Sequence, residues 1–472
     1  RNMSAVRANK QLLGTENRLS KSMKRLSSGY KINSAEDNPA GMAISNKMKA
    51  QIEALDQAKS NSSDAQNVMK IADGALGEVS SMLQRIRELA VQGASDTYSE
   101  NDKKALQSEI DELTKEVDRI SGDTEYNTKS LLDGSSDTRV YVRQKDANGN
   151  MTQVNSYITR INFSDNVASD KYELTVNSLA TQATGSLASA TKPDAEGTIS
   201  ITGVSVAVKA DMTQDEYIQA LQKAATTAGT TMQVNGDSIS FLSNEYGSDS
   251  TVNISLSSSL KALAGAGYEN ADDGSGNMQL KSNGKDAVVT GGENLSDKTI
   301  RADGNRVYVV GNSGFSMDFL LSSDMDMTAG SSNLQIDISD IGNMAVQIGA
   351  NEGQEMKIRI PEVSSQTLYL DTVDVTVKGG ADKAMSTLDE AIEYVSGVRS
   401  RIGAFQNRLE SAESSLSETS ENMTGAYSNI MDTDMATEMT EYAAQNILDQ
   451  AGISVLSQAN DLPQQVLSLL SR

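Results

Sequence analysis

The chain has 472 residues, 4% of them aromatic, and carries 64 acidic against 41 basic side chains for a net charge of −23. It contains no cysteine, histidine or tryptophan, which excludes disulfides, thiolate or imidazole metal sites and any triad built on His or Cys. The negative balance argues against nucleic acid as a partner, and no apolar run reaches the roughly 20 residues of a membrane-spanning helix.

Residues 1–32 read as an amphipathic helix through Ala5, Ala8, Leu12, Leu19, Met23, Leu26 and Tyr30. The opening stretch is charged and has no apolar h-region, so no cleavable secretory signal is expected there. A loop around Gly29–Pro39 follows, then a long helix from about Ala40 to Val91 that closes near Gly93. Its apolar series Ala65, Met69, Ala72, Leu76, Val79, Leu83, Ile86, Ala90 alternates steps of three and four. That spacing lays one seam along a helix, as in coiled coils. Ser99-Glu100-Asn101-Asp102 resembles a capping box opening a third helix, which carries Leu106, Ile110, Leu113, Val117 and Ile120 and stops at Gly122.

From about residue 138 to 343 the texture turns to Gly, Ser, Asp, Asn and Thr with short β-rich runs. One helical segment, 212–229, interrupts them and gives a β–α–β–β unit. This middle reads as one or two compact mainly-β or α+β domains. A further β stretch, 345–360 continuing through 368–377, returns the chain to a second long helix. There the seam runs Leu388, Ala391, Val395, Val398, Ile402, Phe405, Leu409, Ala412, Leu416, Thr419, Met423, Ala426, Ile430. Such a helix is roughly 65 Å long at 1.5 Å per residue and needs partner helices to bury its seam. Asp432 to the end reads as a last helical segment interrupted at Gly452 and Pro463.

The fold class is α+β multidomain: a long coiled-coil-like helical bundle built from both termini, with an inserted mainly-β or α+β outer domain. Three parts are expected. Residues 1–32 with 432–472 form paired terminal helices, 33–137 with 344–431 a helical rod with a small β element, and 138–343 the solvent-facing insert. Residues 1–33 hold eight basic side chains against one acid, and 432–472 hold six acids against Arg472. The two end helices are therefore expected to lie together, with apolar burial dominant and charge choosing the partner.

Several ordered stretches resemble bacterial flagellin: RLSSGYKINSAEDNPAG (25–41), LQRIRELAVQ (83–92), EVDRISGDTEYN (116–127), SRIGAFQNRLES (400–411) and AYSNIMDTDMATEM (426–439). The resemblance covers most of 1–135 and 380–472. It implies a non-enzymatic, cofactor-free subunit that polymerises into the extracellular flagellar filament for motility. It also implies export through the flagellar type III apparatus without a cleaved signal. Implied partners are other subunits, an export chaperone on the C-terminal helix, the cap and hook–filament junction proteins, and the flagellin-sensing Toll-like receptor. Neither nucleic acid nor membrane is among them. The receptor patch carries over to Gln84, Arg85, Glu88, Leu89 and Glu109. Without the family these would read as ordinary helix-face charges and a seam-flanking leucine.

Seam residues Leu76, Leu83, Ile86, Val398, Ile402 and Leu409 read as core within the chain. Leu12, Leu19, Leu26, Ile447, Val455, Leu467 and Leu470 are the expected filament-assembly residues. Twenty methionines suggest an adaptable interface, although gap-filling by Met42, Met48, Met69 and Met82 is the plainer account. An enzyme insert is the competing reading, but the chain has no HExxH, GxSxG or P-loop pattern. Asp272-Asp273 read as a turn in a Gly-rich loop. A hook–filament junction protein, which shares helical termini, is the nearer rival.

Overall fold

The structure, a computed structural model, describes residues 3–145, 150–164, 166–271, 276–327, 330–339 and 341–470, with backbone alone for 313 and 462–470. Asp272 and Asp273 lie outside the described residues. The helices are α1 (Met3–Ser28), α2 (Pro39–Ala94), α3 (Glu100–Asp123), α4 (Gln214–Thr227), α5 (Gly380–Met431) and α6 (Met435–Leu470). The chain divides into two compact units: 1–67 with 346–356 and 406–472, and 68–345 with 357–405. These boundaries cut α2 and α5 inside the expected rod segment.

In the first unit α1 stops at Gly29, whose φ of +77° favours a residue without Cβ and whose N–H donates to Arg25 O at 2.8 Å. The Lys31 N–H donates to Met431 O at 2.7 Å and the Thr433 N–H to Gly29 O at 2.9 Å, joining the two chain reversals. The Asp37 carboxylate accepts the Asn33 and Ser34 N–H groups, both at 3.1 Å. The Asn33 bond is the largest cause holding its pKa below the usual carboxylate range. Asn38 Oδ1 accepts the Gly41 N–H at 2.9 Å, and Pro39 opens α2, where its missing N–H costs nothing. The run 25–41 is thus one helix stop, one locked turn and one helix start.

α1 and α6 run antiparallel: Ser22 Oγ donates to Glu438 O at 3.5 Å, and a Cβ on Gly452 would meet Leu12 Cδ1 at 3.1 Å. Gly452 was expected to interrupt the helix. It instead makes room for Leu12 in a helix that continues past Pro463, which removes a single backbone donor, to Leu470. α2 and α5 are also antiparallel here, with Ser420 Oγ on Asp56 Oδ1 at 3.1 Å and the fully buried Ser62 Oγ on Leu409 O at 3.2 Å.

In the second unit, the seam Met69, Ala72, Leu76, Val79, Leu83, Ile86, Ala90 and the facing Leu388, Ala391, Val395, Val398, Ile402 are all buried. Arg399 Nε donates to Asp73 Oδ1 at 2.9 Å beside them. α3 opens with the expected capping box: the Ser99 N–H donates to Asp102 Oδ2 at 2.9 Å and the Asp102 N–H to Ser99 Oγ at 3.3 Å. Its Ile110 and Val117 are buried.

The expected strand at 368–377 is not formed. That stretch is turns and a 3-10 helix, Leu370–Thr372, led by Tyr369 at φ +56°. Its buried Val373 and Val375 are held by Gln107, which donates to Val373 O and accepts the Val375 N–H, both at 2.9 Å. The apolar alternation satisfies burial there while a side-chain amide replaces the strand partner.

The inserted region is two nested modules. The outer one packs a five-stranded sheet, in the order 288–291, 171–178, 332–339, 139–145 and 151–153, with a four-stranded sheet, in the order 299–303, 306–310, 316–321 and 158–163. They enclose Val142, Leu174, Val176, Val307, Phe319 and Ile336. The second module, within 182–283, combines a three-stranded sheet, a five-stranded sheet and α4 around Leu187, Ile199, Tyr217, Leu221, Phe241 and Ile254. It opens off the first where Thr181 and Lys285 pair as an antiparallel bridge, the Thr181 N–H on Lys285 O at 2.8 Å. Likewise Arg139 and Ser339 are paired where the sandwich leaves the rod. On the rod side Arg306 binds Asp318 at 3.2 Å and Glu390 of α5 at 2.6 Å, and lies over the Tyr308 and Tyr369 rings.

Because entry and exit are adjacent, replacing 183–284 by a four-residue Gly/Ser linker should leave the rest folded. Circular dichroism should keep its helical signal, with the melting temperature moved by a few degrees at most. Tyr217 is fully buried and its hydroxyl has no hydrogen-bond partner among the described residues. Tyr217→Phe should therefore be neutral or stabilising by about 1 kcal/mol in urea unfolding. Burial pushes its phenol up to about 12. The folded state thus favours the neutral form, a contribution intact below pH 10 and lost as pH rises toward 12. The variant should lose less stability than the parent between pH 10 and pH 12.

Candidate assembly surface

α1 presents one strip to α6, made by Leu12, Thr15 and Ser22, while Leu19 and Leu26 are half-buried at its margin. α6 presents Gln445, Gly452 and Ala459. Around the remainder of α6 stand Met435, Met439, Ile447, Leu448, Ile453 and Val455, all exposed, Ile447 at 67%. At 100° per residue these positions spread over most of the circumference, so α6 is apolar on more sides than α1 covers. On α1, Met3, Val6, Leu13 and Met23 are exposed as well.

The structure separates the expected assembly residues. Ile447 and Val455 are open to solvent. Leu12, at 9% exposed, packs on α6 of its own chain near Gly452. Leu467 and Leu470 belong to the α6 backbone, and their side chains lie outside the described residues. Met3, Val6, Leu13, Met435, Met439, Leu448 and Ile453 were not singled out, although apolar residues off the main seam were visible in the sequence.

The opposite charges of the two ends contribute little within the chain. Among the described residues the ion pair between α1 and α6 is Arg25–Glu438, 3.7 Å and partly exposed. A pair of that kind is worth at most about 1 kcal/mol.

On the α2–α3 face, Arg85 donates through Nη2 and Nε to Glu109 Oε1 at 2.7 and 3.0 Å, and through Nη1 to Glu88 Oε2 at 3.2 Å. Gln84 is exposed beside them. Leu89 is not part of that surface: at 1% exposed it lies in the interior with Ile86 and Ala90, so its side chain is closed to an external partner.

Both ends match known family descriptions: the bacterial flagellin N-terminal helical region over 1–137 and the C-terminal helical region over 385–470. A flagellin of Clostridium tyrobutyricum is 32% identical over 470 residues, spanning 98% of this chain and 99% of its own. A flagellin of Salmonella rubislaw is 30% identical over 507 residues, again spanning 98% and 99%. The solved structure of FliC from Burkholderia pseudomallei covers 73% of this chain and 99% of its own at 18% identity, with a TM-score of 0.24, so the assignment rests on sequence. The chain belongs to the bacterial flagellin family, whose members are structural, non-enzymatic subunits of the extracellular flagellar filament.

Proposed function

We propose that α1 and α6 supply the innermost contacts between copies in the filament, as a coiled-coil-like pair whose uncovered apolar faces meet those of neighbouring subunits. The observation that carries this is α6, apolar around most of its circumference yet covered along one strip by its own chain. A polymer that does not close needs a face on one copy to meet a different face on the next, and a two-sided rod provides that. Ile447 and Val455, with Leu467 and Leu470 farther along α6, are the contact residues; Leu19 and Leu26 border them.

The remaining expectations rest on the family. The subunit leaves the cell through the flagellar type III apparatus without a cleaved signal. An export chaperone holds its C-terminal helix, and cap and junction proteins meet its terminal helices. The exposed cluster Gln84, Arg85, Glu88 and Glu109 is the receptor-facing patch, with Leu89 beneath it as core support.

Removing 432–472 should leave a soluble, folded outer part that does not elongate filament seeds in electron microscopy; normal filaments from that truncation would end the assembly reading. Ile447→Asp with Val455→Asp should slow seeded elongation at least tenfold with no change in the unfolding of the outer modules. Arg85→Ala should weaken binding to the receptor ectodomain about tenfold at unchanged melting temperature. Leu89→Ala instead opens a core cavity and should cost about 2–5 kcal/mol of stability. Unchanged receptor affinity in Arg85→Ala would remove the patch from the proposal.

A further inference from the structure

Twenty methionines sit in a chain with no cysteine, histidine or tryptophan, which leaves thioethers as its most readily oxidised side chains. Met69, Met317, Met325, Met356 and Met431 are buried. Four others stand in the open on the paired terminal helices: Met3 and Met23 on α1, Met435 and Met439 on α6, each between 48% and 58% exposed. Met435 and Met439 are one turn apart on a single face of α6, beside the Asp434 turn that opens it. Met151 is 40% exposed on a strand of the outer sandwich, away from these helices in sequence and in unit.

We propose that Met3, Met23, Met435 and Met439 form an oxidation-sensitive switch on polymerisation, in which a hydroperoxide converts them to sulfoxides in the free subunit and the oxidised subunit cannot pack against a second copy. The inference rests on the reading that α1 and α6 meet between copies. In the step itself a sulfur lone pair attacks one peroxide oxygen, the S–O bond forms, the O–O bond breaks, and hydrogen peroxide leaves as water. Sulfur loses two electrons and the peroxide gains them. The product is a polar side chain with a strong acceptor oxygen in place of a flexible apolar one. Burying that oxygen in an apolar contact without a donor is unfavourable, so the sulfoxide opposes the packing the thioether permits. Packing in turn shields the sulfur, so a subunit already in the filament is protected.

The test compares seeded elongation of the full chain before and after hydrogen peroxide, with sulfoxide at each methionine read by peptide mass spectrometry. Treated subunit oxidised at Met435 and Met439 should elongate at least tenfold more slowly, and reduction by the two epimer-specific methionine sulfoxide reductases should restore the rate. In the polymer those two sites should oxidise at least tenfold more slowly than in the free subunit, while Met151 oxidises alike in both. The fourfold variant Met3→Leu, Met23→Leu, Met435→Leu, Met439→Leu should show a treated-to-untreated rate ratio near one, whatever its own rate; if it does not elongate, reductase reversal in the parent decides. Unimpaired elongation of subunit shown to be oxidised at these sites, or no protection in the polymer, would overturn the switch. Untreated subunit that fails to elongate seeds would instead overturn the assembly reading on which it depends.

Discussion

A helix with apolar residues on more sides than its neighbour can cover is the constraint from which the rest follows. In α6 the strip facing α1 is narrow and made of small or polar groups, Gln445, Gly452 and Ala459, whereas the larger residues Ile447, Leu448, Ile453 and Val455 stand outside it. Large apolar side chains left in water at this density are unfavourable for an isolated molecule and useful for one that meets copies of itself. The close approach at Gly452 and Leu12 fixes the pair. Fixing it with small residues leaves the bulky ones free to act elsewhere.

The long helices of the rod answer a different demand. Their seam is filled within the chain, with Met69, Leu76, Leu83 and Ile86 on α2 and Leu388, Val395 and Val398 on α5 fully excluded from water. In the other unit a small polar residue, Ser62, is buried between the same two helices because its hydroxyl donates to Leu409 O. Burial of that kind resists solvent and heat, and it holds the exposed Arg85–Glu109 surface in a fixed geometry. The same packing explains why Leu89 belongs to the interior: the buried stripe is wide enough to take in both Leu89 and Ala90.

Much of this was legible in the chain. The three- and four-residue steps located the seam of α2 and that of α5 from Leu388 to Ile402, whereas farther along α5 Phe405, Ala412, Met423, Ala426 and Ile430 are half-buried and Thr419 is exposed. Ser99 with Asp102 announced the start of α3. Gly29, Asp37 and Pro39 each act locally, so their roles could be read residue by residue. What could not be read depended on partners distant in sequence. The stretch 368–377 alternates as a strand does, but Gln107 supplies the bonds a neighbouring strand would have made. Gly452 looks like a break until Leu12 is placed beside it. Leu12 and Ile447 look alike in a periodicity plot, and tertiary context alone buries one beside Gly452 and leaves the other open to solvent.

The paired strands at Thr181 and Lys285, and again at Arg139 and Ser339, bring each insertion back to within a ladder spacing of where it left. A foreign domain whose ends lie about 5 Å apart meets the same geometric requirement. Grafted there, an enzyme or an epitope would be displayed once per subunit along a self-built scaffold.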